Sequence, residues 1–196
     1  MANTEQKFGL RPVRLLDGSP FINAQNRYRI ASGDSTAIFQ GDMVIPVQTG
    51  TGYVARHAPN TSYAVVGVFN GCFYTDPTTQ KPTFKNYYPG SIVASDIIAH
   101  VIDAPETVYK INSDGAFALA DIFKNFSVTN VSGNTTSGIS ETQLDYSVSG
   151  TNASYMLQAI DISQNPDNDE FGAANANILC RINRHFYGYA GAGTGL

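Results

Sequence analysis

The side chains of this chain best suited to metal binding or acid–base chemistry are three histidines, two cysteines and sixteen acidic residues. His57, His100 and His185 lie far apart, and none belongs to H-E-x-x-H or another spaced pair that aims two imidazoles at one metal. No G-x-S-x-G segment offers a serine nucleophile on a strand-to-helix turn. Cys72 and Cys180 each sit inside an apolar run, VVGVFNGCFY and NILCRIN, and read as buried, reduced small hydrophobes. The segment NPDNDEFG gathers Asp167, Asp169 and Glu170, but it lacks the further oxygen ligands and distal Glu of a calcium loop and reads as an exposed turn. GAGTGL shares only composition with a phosphate-binding loop, so residues 188–196 read as a flexible Gly-rich tail. These residues imply no enzyme, no metal and no cofactor. Two aromatic clusters remain, Phe73 with Tyr74, and Phe84 with Tyr87 and Tyr88. Such rings stack on bases or sugars, or pack in cores and subunit contacts.

The elements that must position these residues are mostly strands. From Arg27 onward the chain is a series of short β-prone runs: RYRIAS, TAIF, DMVIPV, GYVARH, YAVVGVFNGCFYT, PTFKNYY, DIIAHVID, ETVYKIN, then TNASYMLQAIDIS and NANILCRINRHFYG. Turn residues separate them (ASGD, FQGD, QTGTG, HAPNTS, YPGS), and strands at this spacing predict a β-barrel or β-sandwich with no room for helical crossovers. One interruption, SDGAFALADIFKNF, places Phe117, Ala120 and Phe123 or Lys124 at helical spacing behind Ser113 or Asp114, and predicts one short α-helix over about 114–125. In residues 127–138, ten of twelve are Ser, Thr, Asn or Gly, which marks a surface loop or hairpin edge. The expected organisation is an extended N-terminal arm over residues 1–26, a single β-rich body over 27–187 and the tail.

Charge sharpens that division. Only 14% of residues are charged, against about 25% in an ordinary domain, so Asn (16 residues), Ser, Thr, Gly and Tyr are expected to dominate the surface. Residues 1–30 hold Lys7, Arg11, Arg14, Arg27 and Arg29 against Glu5 and Asp17, a balance of +3, which leaves −7 for the rest of a chain of net charge −4. An acidic body argues against a nucleic-acid partner. No apolar run is long enough to cross a membrane as a helix, and the opening MANTEQKFGL lacks a secretory pattern, so the expectation is synthesis in a cytoplasm without export.

The order of segments carries a resemblance. ANTEQKFGLRPVRLLDGSPF, RYRIASGDSTAIFQGDMV, VVGVFNGCFYTDPTT, VIDAPETVYKIN and DNDEFGAANANILCRINRH together resemble, block after block, the head decoration or cement proteins of tailed phages. The resemblance implies a virion protein that stabilises a capsid by binding the outer face of the major capsid protein shell, as a homotrimer, with no catalytic residues. On that reading Phe8, Leu10, Arg11, Val13, Arg14 and Leu15 of the arm are the candidate contacts with shell or neighbour, an arm folded back on its own body being the equal alternative. Removing residues 1–20 is then expected to leave a folded body. A different class stays open: a host-attachment or carbohydrate-binding module built on the clustered aromatics, or another minor head or tail protein.

Overall fold

The computed structural model describes residues 3–58, 63–129, 132–164, 166 and 168–188. Among them are twelve strands: β1 (Arg11–Leu15), β2 (Asn26–Arg29), β3 (Met43–Pro46), β4 (Val54–Arg56), β5 (Gly67–Thr75), β6 (Pro82–Lys85), β7 (Ile98–Ile102), β8 (Thr107–Asn112), β9 (Asn125–Val128), β10 (Leu144–Gly150), β11 (Leu157–Ile162) and β12 (Asn177–Ile182). They form two antiparallel sheets. The first runs β1-β8-β12-β11-β9-β10; the second runs β2-β7-β5-β3-β4, with β6 added on β5. The mainly β expectation holds, and of the two architectures left open the open sheets favour a sandwich over a closed barrel.

Alternation along the strands builds two cores. In β3, Met43 and Ile45 face the first sheet, where they meet Tyr109, Ile111, Phe126, Leu157, Ile178 and Cys180, while Val44 between them faces the other way. The second core lies on that other face of the second sheet, where Phe69, Cys72, Tyr74, Ala99 and Val101 pack under Ile30, Ile38, Tyr88 and Ile97 from the connecting segments. The second sheet is therefore covered on both faces over much of its width. Near the C-terminus Val65 donates to and accepts from the segment 184–186, tying the end of the first sheet to the second (2.8 Å each).

The N-terminal segment is not a free arm. Residues 11–15 form β1, hydrogen-bonded to β8 as an edge strand with a bulge at Val13. Phe8 and Leu10 are only 5% and 2% exposed. The reason is a close backbone crossing: Gly9 (φ 64°) and Gly41 (φ 98°) lie against each other, and the Leu10 N–H donates to Gly41 O (2.9 Å). A Cβ on Gly9 would stand 2.7 Å from Gly41 O and from Ser140 Cβ, so only glycine admits this approach. Residues 3–6 are held by amides, with Thr4 N–H donating to Asn168 Oδ1 (2.7 Å) and Asn168 Nδ2 to Thr4 O (2.6 Å).

The α-helix expected over 114–125 is also corrected. That stretch contains a single 3-10 turn, Leu119–Asp121, and then enters β9. The backbone donors pair elsewhere: Phe123 N–H bonds to Ala159 O across on β11, and the Ala118 N–H bonds to the Asp121 carboxylate (2.8 Å). Ala120 and Phe123, which helical spacing places on the buried face with Phe117, are exposed, while Asp121 is buried and Ile122 packs against the core. Of the tail expected over 188–196, residues 189–196 lie outside the described residues.

Leu10→Ala is expected to lower unfolding stability by about 2–5 kcal/mol, measured by denaturant titration. Gly9→Ala is expected to cost more than Gly18→Ala, because Gly18 also has positive φ but open space around its Cβ position. Removal of residues 1–20 takes away an edge strand and two core side chains, so circular dichroism should show loss of cooperative unfolding, contrary to the behaviour of a detachable arm.

Candidate functional site

The six candidate contacts separate by what they touch. Phe8 lies beneath two cations, with the Arg11 guanidinium 4.5 Å and the Lys110 ammonium 5.6 Å from its ring centre, and Leu10 belongs to the inter-sheet core. Arg14 is half-buried and donates through Nη1 to Leu15 O (3.1 Å), while the half-buried Leu15 donates its N–H to Ser19 O (2.8 Å). Arg11 and Val13 present outward, with Leu16 beside them. Phe8 and Leu10 thus fold onto their own body, and the accessible part of the segment is Arg11, Val13 and Leu16. Between this segment and the second sheet lies an open cleft of about 400 Å³, lined by Leu10, Arg11, Asn23, Gln40, Asn70 and Ile139 among others.

Next in sequence to Gly41, which lines that cleft, is a buried charge. Asp42, 2% exposed, takes the Arg56 Nε at 3.0 Å, the Ser140 hydroxyl at 2.5 Å, the Thr142 hydroxyl at 3.4 Å and the Phe39 N–H at 2.9 Å. Burial pushes its carboxyl above the ordinary range, against the pull of Arg56 and the hydroxyls. Ser140 and Thr142 lie in the connection between β9 and β10 of the first sheet, and Arg56 lies on β4 of the second, so this carboxylate bridges the two.

The histidines do not converge. His100 faces Phe84 from β7, its basicity lowered by burial and by Arg27. His185 accepts the Tyr187 N–H at Nδ1 (3.1 Å) and is depressed to about 4 by burial, Asp103 opposing the shift. Burial raises the Cys72 thiol to about 12 and pushes Cys180 up as well, and both are free thiols. Among the described residues no group of three or more His, Cys, Asp or Glu is placed to hold a metal ion. Asp167 of the acidic loop lies outside the described residues; Asp169 and Glu170 are exposed, and Glu170 is tied to Asn3.

The aromatic clusters are divided by the pleat. Tyr74 and Tyr88 are buried in the second core, and Tyr87 stacks on Phe39 (5.4 Å). Phe73 and Phe84 instead share the opposite face with Ile98, His100 and Arg27, where they line a second cleft of about 270 Å³. The paired aromatics were visible in sequence. Arg27, Ile98 and His100 were not, because only the register of β2, β7 and β5 (Arg27 opposite His100, Ile98 opposite Phe73) brings them together.

Asp42→Asn removes the buried charge on which Arg56, Ser140 and Thr142 converge and is expected to cost about 3–5 kcal/mol by denaturant titration. His185 predicts a pH dependence. The unfolded chain takes a proton on it near the ordinary 6.5 while the folded chain resists until about 4. The unfolded state binds more protons across that window, so stability falls as pH drops through it. His185→Asn, whose Oδ1 can accept the Tyr187 N–H, should flatten that part of the melting-temperature profile.

Comparison of the chain with protein-family models, with curated proteins and with solved structures finds no match to any of them.

Proposed function

We propose that this chain is a structural, non-catalytic virion protein that decorates and stabilises a tailed-phage capsid, binding the outer face of the major capsid protein shell as a homotrimer. The observation that carries the reading is the resemblance in five consecutive blocks spanning nearly the whole chain. The geometry is compatible in a specific way. The FG of the first block and the GD of the second are the residues that interlock, Gly9 against Gly41, beside the buried Asp42. A protein that holds shell subunits together needs a rigid body, and a segment woven into that body transmits load where a loose strap would stretch.

The contact surface then differs from a flexible arm. Arg11, Val13 and Leu16 at the β1 edge form one accessible strip, and the cleft lined by Arg27, Phe73, Phe84, Ile98 and His100 forms another. Both join apolar groups to arginine, a composition enriched in protein interfaces.

Purified chain added to phage shells that lack it should bind saturably, and cryo-electron microscopy of those shells should show added density on the outer surface. Density confined to the tail or absent from the particle would sink the proposal. Specific retention on a glycan array, lost in Phe84→Ser, would favour the host-attachment reading instead.

A further inference from the structure

The second sheet extends beyond the first. Val68 and Ile102 of this sheet face the inter-sheet core, and by alternation Phe73, Ile98 and His100 continue the same face. There no strand of the first sheet covers them: Phe84 is 65% exposed, and the face opens as the 270 Å³ cleft. Gly71 has no side chain to fill the row, and the Phe84 ring lies over it, 3.1 Å from where a Cβ would stand. Arg27 and Arg29 of β2 flank this face opposite His100 and Ile98, and neither has a salt bridge among the described residues. The cleft is thus an uncovered piece of core face with cations along one edge. Arg27 and Arg29 are the cations of this face; Lys85, next to Phe84 on β6, points to the other face, over the Tyr87 ring (5.5 Å).

The same chain also displays an exposed apolar knob. The turn at 119–123 points Leu119 (67% exposed) and Phe123 (77% exposed) outward. Phe123 sits at φ 73°, a conformation that a bulky side chain rarely adopts. The turn is rigidly held: Asp121 accepts from the Ala118 N–H, from Lys124 (2.7 Å) and from the Tyr146 hydroxyl (3.1 Å), while Phe123 and Lys124 pair with Ala159 of β11. Ile122 anchors it in the core. Two large apolar groups are therefore fixed in an exposed position by a buried network, and nothing within the described fold packs over them to account for it. The surrounding elements are acidic. Asp114, Asp121, Asp145 on β10 and Asp161 on β11 stand against Lys124, a balance of −3.

We propose that the chain associates with itself head to tail, the Leu119 and Phe123 knob of one copy entering the cleft formed by Phe73, Phe84, Ile98 and His100 of the next, with Arg27 and Arg29 meeting the acidic surround of the knob. A knob and a cleft at different places on one chain make a heterologous contact, which closes into a ring if the rotation permits. Only the number of copies in the ring, three, rests on the capsid reading; the contact itself does not, and it is measured without shells.

The test is the mass of the isolated protein by light scattering and sedimentation over a concentration series. Wild type is expected to associate reversibly, less so at high salt because the flanking charges are screened. Phe123→Asn, which suits positive φ and should leave thermal stability equal or higher, and Phe84→Thr are each expected to weaken association by about tenfold or more. Mixing these two variants should restore a two-chain species, since one keeps the cleft and the other keeps the knob. A wild type that remains monomeric throughout, variants that associate like wild type, or a mixture that stays monomeric would overturn the proposal. Shell binding by a chain that stays monomeric would leave the capsid reading standing without this contact.

Discussion

A buried carboxylate organises the centre of this fold. Asp42 could not remain ionised in a largely dry site without partners, and its partners come from three places: the preceding turn through the Phe39 N–H, β4 through Arg56, and the connection from β9 to β10 through Ser140 and Thr142. The residue before it, Gly41, receives the Leu10 N–H, so the same turn also fixes the N-terminal segment. Cost and specificity are coupled here. Charge burial disfavours the site, and the Phe39 N–H, Arg56, Ser140 and Thr142 offset that cost only where these segments meet on Asp42.

Around that junction, amides perform the work that charges perform in most domains. Asn112 donates to Asn175 O and Asn177 Oδ1 and accepts from Gln143, and all three of Asn112, Gln143 and Asn177 are buried. Asn168, also buried, exchanges both of its amide hydrogen bonds with the backbone of Thr4. Amides satisfy buried donors and acceptors without the desolvation penalty of ions. The low charge content therefore has an interior cause as well as a surface one, and part of the Asn expected on the surface lies inside.

The two-sheet layout also explains where the accessible apolar groups lie. One face of the second sheet is closed by its own connecting segments, and the other by the first sheet only as far as that sheet reaches. The pleat continues past this limit, so Phe73 and Ile98 keep the orientation of core residues without a cover. Exposed apolar surface of this origin follows from how far along β5 and β7 the first sheet reaches, since both sheets have six strands.

The strand content was legible because period-two alternation and β-branched composition are local properties, and ETVYKIN or NILCRIN carries them without reference to any other segment. The turns were equally legible from Gly, Asn and Pro. Pro12 and Pro20 made the N-terminal segment legible as extended, but the choice between an outward arm and one folded back on the body stayed open; the fold-back depends on two glycines 32 positions apart that let backbones cross, and on β8 offering an edge. The helix was misread because apolar spacing over 117–124 meets the helical pattern, yet Ala159 and Asp121 take its backbone donors. The sequence by itself determined the strands, the absence of recognisable catalytic spacing and the shortage of charge. Which aromatics are core and which line a cleft, and which acid is buried, only the tertiary structure decided, since strand register and the reach of the opposing sheet are sums of long-range contacts that no local pattern encodes.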